Sequence, residues 1–163
     1  AELDKKNYIT QVCFDKEFHA YSALIEATNE MVLKCFWLFP TCLDRIPVDE
    51  DEHLEMAKNR YKDAAEAHIK YNSLLMGSLP FLNKEISDSF QKLRELCGKQ
   101  LSMYTYCGEL APKRDVFVKS VETAKDLCWD RTDKIIKKQE ELSEQLRIYL
   151  SSLAEKRNTS DDK

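Results

Sequence analysis

Only 3 Gly and 4 Pro interrupt 163 residues, and most of them fall in clumps. Sheets consume Gly, Pro, Asn and Asp at their turns, so a chain this poor in breakers is limited to a few long helices. The clumps mark the links: Pro40 with Pro47, Gly77 with Pro80, and Gly108 with Pro112. Between them the apolar residues recur at steps of three and four, the signature of amphipathic helices. A chain of this length makes one domain and buries roughly 70% of its unfolded surface. The expectation is an all-α fold, a single domain over residues 1–163.

Four helices are predicted, over about 3–39, 49–76, 83–107 and 115–157, with a polar, disordered tail at 158–163. The second starts in the acid cluster Asp49, Glu50, Asp51, Glu52, which offsets the positive end of its dipole. Its seam reads Leu54, Ala57, Tyr61, Ala64, His68, Tyr71, Leu75. Asn83 is the expected N-cap of the third, and Gly98 an internal weak point. The fourth carries Phe117, Val121, Ala124, Cys128, Ile135, Leu142 and Leu146. Arg131 and Gln139 interrupt that seam, where a bend is expected. Short links make neighbouring helices antiparallel, giving an up-down-up-down bundle. The helical cytokines run up-up-down-down with two long crossovers, which this chain lacks.

Six cysteines, Cys13, Cys35, Cys42, Cys97, Cys107 and Cys128, are an even set without a Cys-x-x-Cys pair. That favours a disulfide framework over zinc or thioredoxin-like chemistry. With the start at Ala1 and no apolar leader, it suggests a secreted, extracellular chain after signal-peptide removal. Asn158-Thr159-Ser160 is a sequon for N-glycosylation. At 1.5 Å of rise per residue, Cys35, Cys42 and Cys107 fall near one end of the bundle. Cys97 and Cys128 lie roughly 15 and 20 Å below that end by the same rise, and are the favoured disulfide pair. Cys13 then has its partner about 35 Å away by that rise. A disulfide tolerates at most about 7 Å between Cα atoms. Either the first helix is broken, or the packing is less regular, or two thiols stay unpaired.

Candidate chemistry is sparse. Glu50 and His53 form one Glu-x-x-His step, whereas a ferritin-like di-iron site needs two such steps and two further glutamates. His68 lies on the second seam, where a histidine bonded to Tyr or a carboxylate is expected. No nucleophile elbow, zinc-protease motif or phosphate-cradling loop occurs. The run Asp49 to Glu55 lacks the mid-loop Gly of a calcium-binding hand. No metal or cofactor is therefore expected, and no enzymatic activity. A net charge of −4 argues against nucleic acid. No stretch is apolar enough to span a membrane.

The first helix carries two apolar stripes. One runs Ile9, Cys13, Ala20, Leu24, Ala27, Met31, Cys35, Leu38. The other runs Phe14, Phe18, Tyr21, Ile25, Val32, Phe36, Phe39, with Trp37 added at its end. An outer helix of a bundle needs one stripe. The second is open to three readings: a central helix wrapped on both sides, the lining of a cavity for an apolar ligand, or an exposed patch for a partner.

The six cysteines on an acidic helical chain resemble the insect odorant-binding proteins, which carry apolar ligands between helices. The spacing departs from that pattern. Cys35 and Cys42 enclose six residues and Cys107 and Cys128 enclose twenty, where the family has three and eight. Membership is not assigned on these residues. The expected function is a secreted, non-enzymatic protein that binds a protein partner, as an extracellular effector or receptor ligand. Its candidate contact residues are Phe14, Phe18, Tyr21, Ile25, Val32, Phe36, Trp37 and Phe39. The alternative is a carrier of a small, lipid-like ligand.

Overall fold

The computed structural model describes residues 2–39, 45–107 and 118–161, with side chains over 11–39, 45–105 and 126–153. Four α-helices are present among the described residues and no strand: α1 (Glu2–Phe36), α2 (Glu50–Ser78), α3 (Lys84–Cys107) and α4 (Val118–Asp161). The all-α bundle is as expected. Cys42, and the side chains of Cys107 and Asn158, lie outside the described residues.

Local chemistry sets the helix ends. α1 leaves helical geometry after Phe36, ahead of the expected Phe39. Pro40 disfavours helical backbone at the residue before it, and Trp37 and Leu38 close the end by bonding to Leu33 and Cys35 carbonyls. Asp49 caps α2, its carboxylate accepting from the Asp51 and Glu52 amides at 3.0 Å each. Such a cap stabilises by about 1 kcal/mol. α2 continues through Gly77, which sits in open space, to Ser78. Pro80 then lies in a single 3-10 turn, Leu79–Phe81. Asn83 caps α3 as expected, through the Glu85 amide at 2.9 Å and the Ile86 amide at 3.4 Å. α4 runs unbroken through Arg131 and Gln139, with no frayed turn there. Gln139 instead donates to Asn29 across the α1 edge. The helix also continues through Asn158 to Asp161, so the backbone expected to be a disordered tail from 158 is helical over that stretch.

Cross-helix pairs fix the directions. Lys34 meets Asp63 at 2.9 Å and Lys70 meets Glu30 at 2.7 Å, so α1 and α2 are antiparallel. His68 faces the Arg94 carbonyl and Tyr71 faces that of Phe90, so α2 and α3 are antiparallel. Tyr149 reaches Glu17 while Gln139 reaches Asn29, so α4 opposes α1. Tyr21 stacks on Phe90, and Phe39 packs edge-on to Tyr104, so α1 and α3 run parallel across the diagonal. The topology is up-down-up-down. Packing is densest within the hairpins α1–α2 and α3–α4, and thinnest along the α1–α4 edge.

The core falls into two clusters. The larger gathers Tyr21, Leu24, Met31, Cys35, Tyr71, Leu75, Phe90, Leu93, Cys97, Ile135, Leu142 and Leu146. The smaller, at the other end, holds Leu38, Phe39, Ala64, Leu101, Tyr104 and Cys128. α2 contributes a seam of small residues, Ala57, Ala64 and Ala67, before Tyr71 and Leu75. Leu54, expected on that seam, is exposed instead. Gln100 is buried without a charge to pair. Its amide donates to the Cys128 carbonyl at 3.1 Å and to Thr132 Oγ1 at 2.9 Å, and its oxygen accepts from Arg131. Buried amides are tolerated only when bonded in this way.

The favoured Cys97–Cys128 pair is a misreading. The two residues are not bonded, and among the described residues no disulfide is formed. They occupy different clusters: Cys97 belongs to the larger and Cys128 to the smaller. The depth count placed them at similar levels, but it carries no information on facing. Gln100, about 60° around α3 from Cys97, is the residue that meets α4. Cys97 shares the larger cluster with Cys35 of α1 instead, and its thiol lies near that residue. Helix α1 is unbroken and Cys13 is an exposed thiol, which resolves its missing partner in favour of an unpaired cysteine.

Candidate functional site

At 100° per residue, the buried positions of α1 from Tyr21 to Cys35 occupy a sector of about 140°, and Leu38 and Phe39 are buried in the turn that follows. Leu24, Ala27, Met31 and Cys35 of the first stripe fill it, and the second stripe straddles its edge. Tyr21 and Val32 lie inside the boundary and, with Phe39, belong to the core. Phe14 and Phe36 are half-buried on the rim. Phe18, Ile25 and Trp37 lie outside it, 49%, 38% and 45% exposed. The eight contact residues named from sequence therefore divide. Three are core, two are rim and three face solvent.

Leu33 joins the exposed set and was missed. It is 54% exposed. It lies on neither stripe, about 60° from Phe18 on the side away from the core. The available signal was its angular position, on the flank of the second stripe that faces away from the first. Phe18, Ile25 and Leu33 together span about 80° of the helix, and Trp37 is exposed in the turn that follows it.

The neighbourhood of the two C-terminal members is structured. Leu33, Lys34, Trp37, Arg60 and Asp63 line a cleft of about 210 Å³ between α1 and α2. The Lys34–Asp63 ion pair forms its floor on the adjoining side, and Glu30–Lys70 continues the charged line one turn on. The Phe36 ring stands edge-on to Trp37 at 6.4 Å. The arrangement offers two large apolar groups beside a fixed pair of opposite charges. Such a surface can seat an apolar side chain and orient polar groups around it.

Two further clefts lie between other helix pairs. One of about 330 Å³ between α2 and α3 is lined by His68, Ile69, Asn72, Arg94, Glu95 and Gly98. The His68 ring lies 3.1 Å from the Arg94 carbonyl, so its partner is backbone rather than the expected Tyr or carboxylate. Gly98 is explained by the same ring. A Cβ there would stand 3.2 Å from His68 Nε2. A third cleft, about 450 Å³ between α3 and α4, is rimmed by Glu95, Lys99 and Arg131. Both, like the cleft beside Leu33, mix apolar and charged side chains.

At the opposite end, the Glu17 carboxylate accepts from Tyr149 at 2.6 Å and Tyr21 at 3.2 Å, and the Tyr21 oxygen accepts from the Asn83 amide at 2.9 Å. Burial, then the Glu17 bond, pushes the Tyr149 phenol up to about 12. Tyr21 is also pushed up, mainly by burial. These phenols stay neutral at ordinary pH and tie α1, α3 and α4 together. Among the described residues no group of three or more His, Cys, Asp or Glu is placed to hold a metal ion. No helix among them is long and apolar enough to cross a membrane.

Comparisons with protein-family models, with curated proteins and with solved structures found no match for this chain.

Proposed function

We propose that the chain is a secreted, disulfide-stapled bundle that acts by binding a protein partner, without enzymatic activity of its own. The observation that carries this reading is the outer sector of α1. Phe18, Ile25 and Leu33 face solvent on a helix whose core-facing sector is already filled, and Trp37 is exposed in the turn that follows it. Scattered apolar side chains are normal on a surface, but Leu33 and Trp37 lie four residues apart beside one cleft, an arrangement suited to an interaction site. Leu33 and Trp37 are the centre of that surface, because the adjoining cleft and the Lys34–Asp63 pair supply shape and direction. Tryptophan is also enriched among residues that dominate binding energy.

The test uses the full chain, labelled and screened against an array of extracellular protein domains. Each hit is repeated with Leu33→Asp and with Trp37→Asp. At least a tenfold loss of affinity, with unchanged helicity and melting temperature, is the expected result. Hits indifferent to both substitutions, or no hit while a fluorescent fatty-acid probe binds the unmodified chain, refute the reading. The second outcome instead supports carriage of a lipid-like ligand.

A further inference from the structure

Cys35 and Cys97 come from the two helices that run parallel across the bundle diagonal, one from each hairpin. Both are buried, at 1% and 0% exposure, in the larger core cluster. Their thiols lie near one another, close enough for Cys35 to be the leading influence on the Cys97 thiol. Tyr71 lies beside Cys97 and donates its own proton to the Phe90 carbonyl. Metal ligation is not supported here, since no third ligand joins the pair among the described residues.

We propose that Cys35 and Cys97 are joined by a disulfide that locks the α1–α2 hairpin to the α3–α4 hairpin. The oxidant is a small-molecule disulfide of the glutathione class. One cysteine thiolate attacks it, forming a mixed disulfide and expelling one glutathione thiolate. The second cysteine thiolate attacks the protein sulfur of that mixed disulfide and expels the other. Two protons leave the protein, and two electrons pass to the oxidant. The attacking species is a thiolate. In the closed bundle, the nearby Cys35 and then burial push the Cys97 thiol up, which keeps it protonated. The bond therefore forms while the helices are still open, and once closed it is shielded from reductants.

The pairing is independent of the α1 docking surface, and its test is separate. The whole chain is reduced, unfolded, and refolded with a mixture of reduced and oxidised glutathione. Remaining thiols are alkylated and the product is digested without reduction. Trypsin alone leaves Cys35 and Cys42 on one peptide, residues 35–45, so a second cut after Phe36 or Trp37 is required. A cross-linked species joining Cys35 to the 95–99 peptide is the expected result. Cys97 recovered as an alkylated thiol, or bonded to any other cysteine, overturns the proposal. Neither outcome alters binding through Leu33 and Trp37, which stands or falls on the Leu33→Asp comparison.

Discussion

Gly98→Ala separates two forces that act at one position. Replacing Gly by Ala inside a helix stabilises by about 1 kcal/mol through backbone entropy alone. Here the added Cβ meets His68 Nε2 at 3.2 Å and Cε1 at 3.6 Å. The first contact is tighter than an ordinary carbon–nitrogen approach, so the ring must retreat by a few tenths of an ångström. That retreat lengthens a bond to the Arg94 carbonyl which now measures 3.1 Å. A bond of this kind contributes about 1 kcal/mol net. The two effects cancel, and Gly98→Ala is expected to leave stability within about 0.5 kcal/mol of the parent by the same magnitudes. In a His68→Ala background the obstacle is gone, and the same change should stabilise by about 1 kcal/mol. The assay is urea unfolding followed by far-UV circular dichroism on the parent, both single variants and the double variant. The coupling expected from the cycle is about 1 kcal/mol. Equal stabilisation in both backgrounds would refute the claim that His68 is why this position is Gly.

Two further changes test the polar interior. Gln100→Ala removes the donor to Thr132 and the Cys128 carbonyl and opens a void between α3 and α4, at an expected cost of about 1–3 kcal/mol in urea unfolding. A cost under about 0.5 kcal/mol would mean that the network adds nothing. The tyrosines predict an alkaline limit. A phenol whose folded pKa is raised favours the neutral form in the folded state. Its contribution is complete below the ordinary value near 10 and is lost as pH climbs through the folded value. For Tyr149 that window runs from about 10 to about 12. The unfolding midpoint should hold below the window and fall across it, and Tyr149→Phe should make the fall shallower. An identical fall in that variant removes Tyr149 as a cause.

Much of the fold was legible because it rests on local signals. Asn83 announced its cap, the acid cluster from Asp49 marked the start of α2, and the three-and-four spacing located the helices. Errors arose where the deciding neighbour is distant in sequence. Arg131 and Gln139 read as interruptions because their partners, Gln100 and Asn29, sit on other helices. Leu54 fits the α2 periodicity yet is exposed. The second stripe of α1 had no single fate legible in the chain. Whether Tyr21 or Phe18 is core depends on about 60° of helix rotation relative to α3 and α4. Cys97 and Cys128 show the same limit, since rise gives depth but not direction.

The split into two hairpins bears on how fast the bundle assembles. Most of its packing joins helices that follow one another along the chain, α1 with α2 and α3 with α4. Each such encounter closes a short loop, and the entropy of loop closure grows only with the logarithm of length. The distant closures, of α1 against α4 and across the diagonal against α3, are sparser than either hairpin. Low contact order of this kind belongs to the fast end of folding rates, so apolar helix faces spend little time open to other chains.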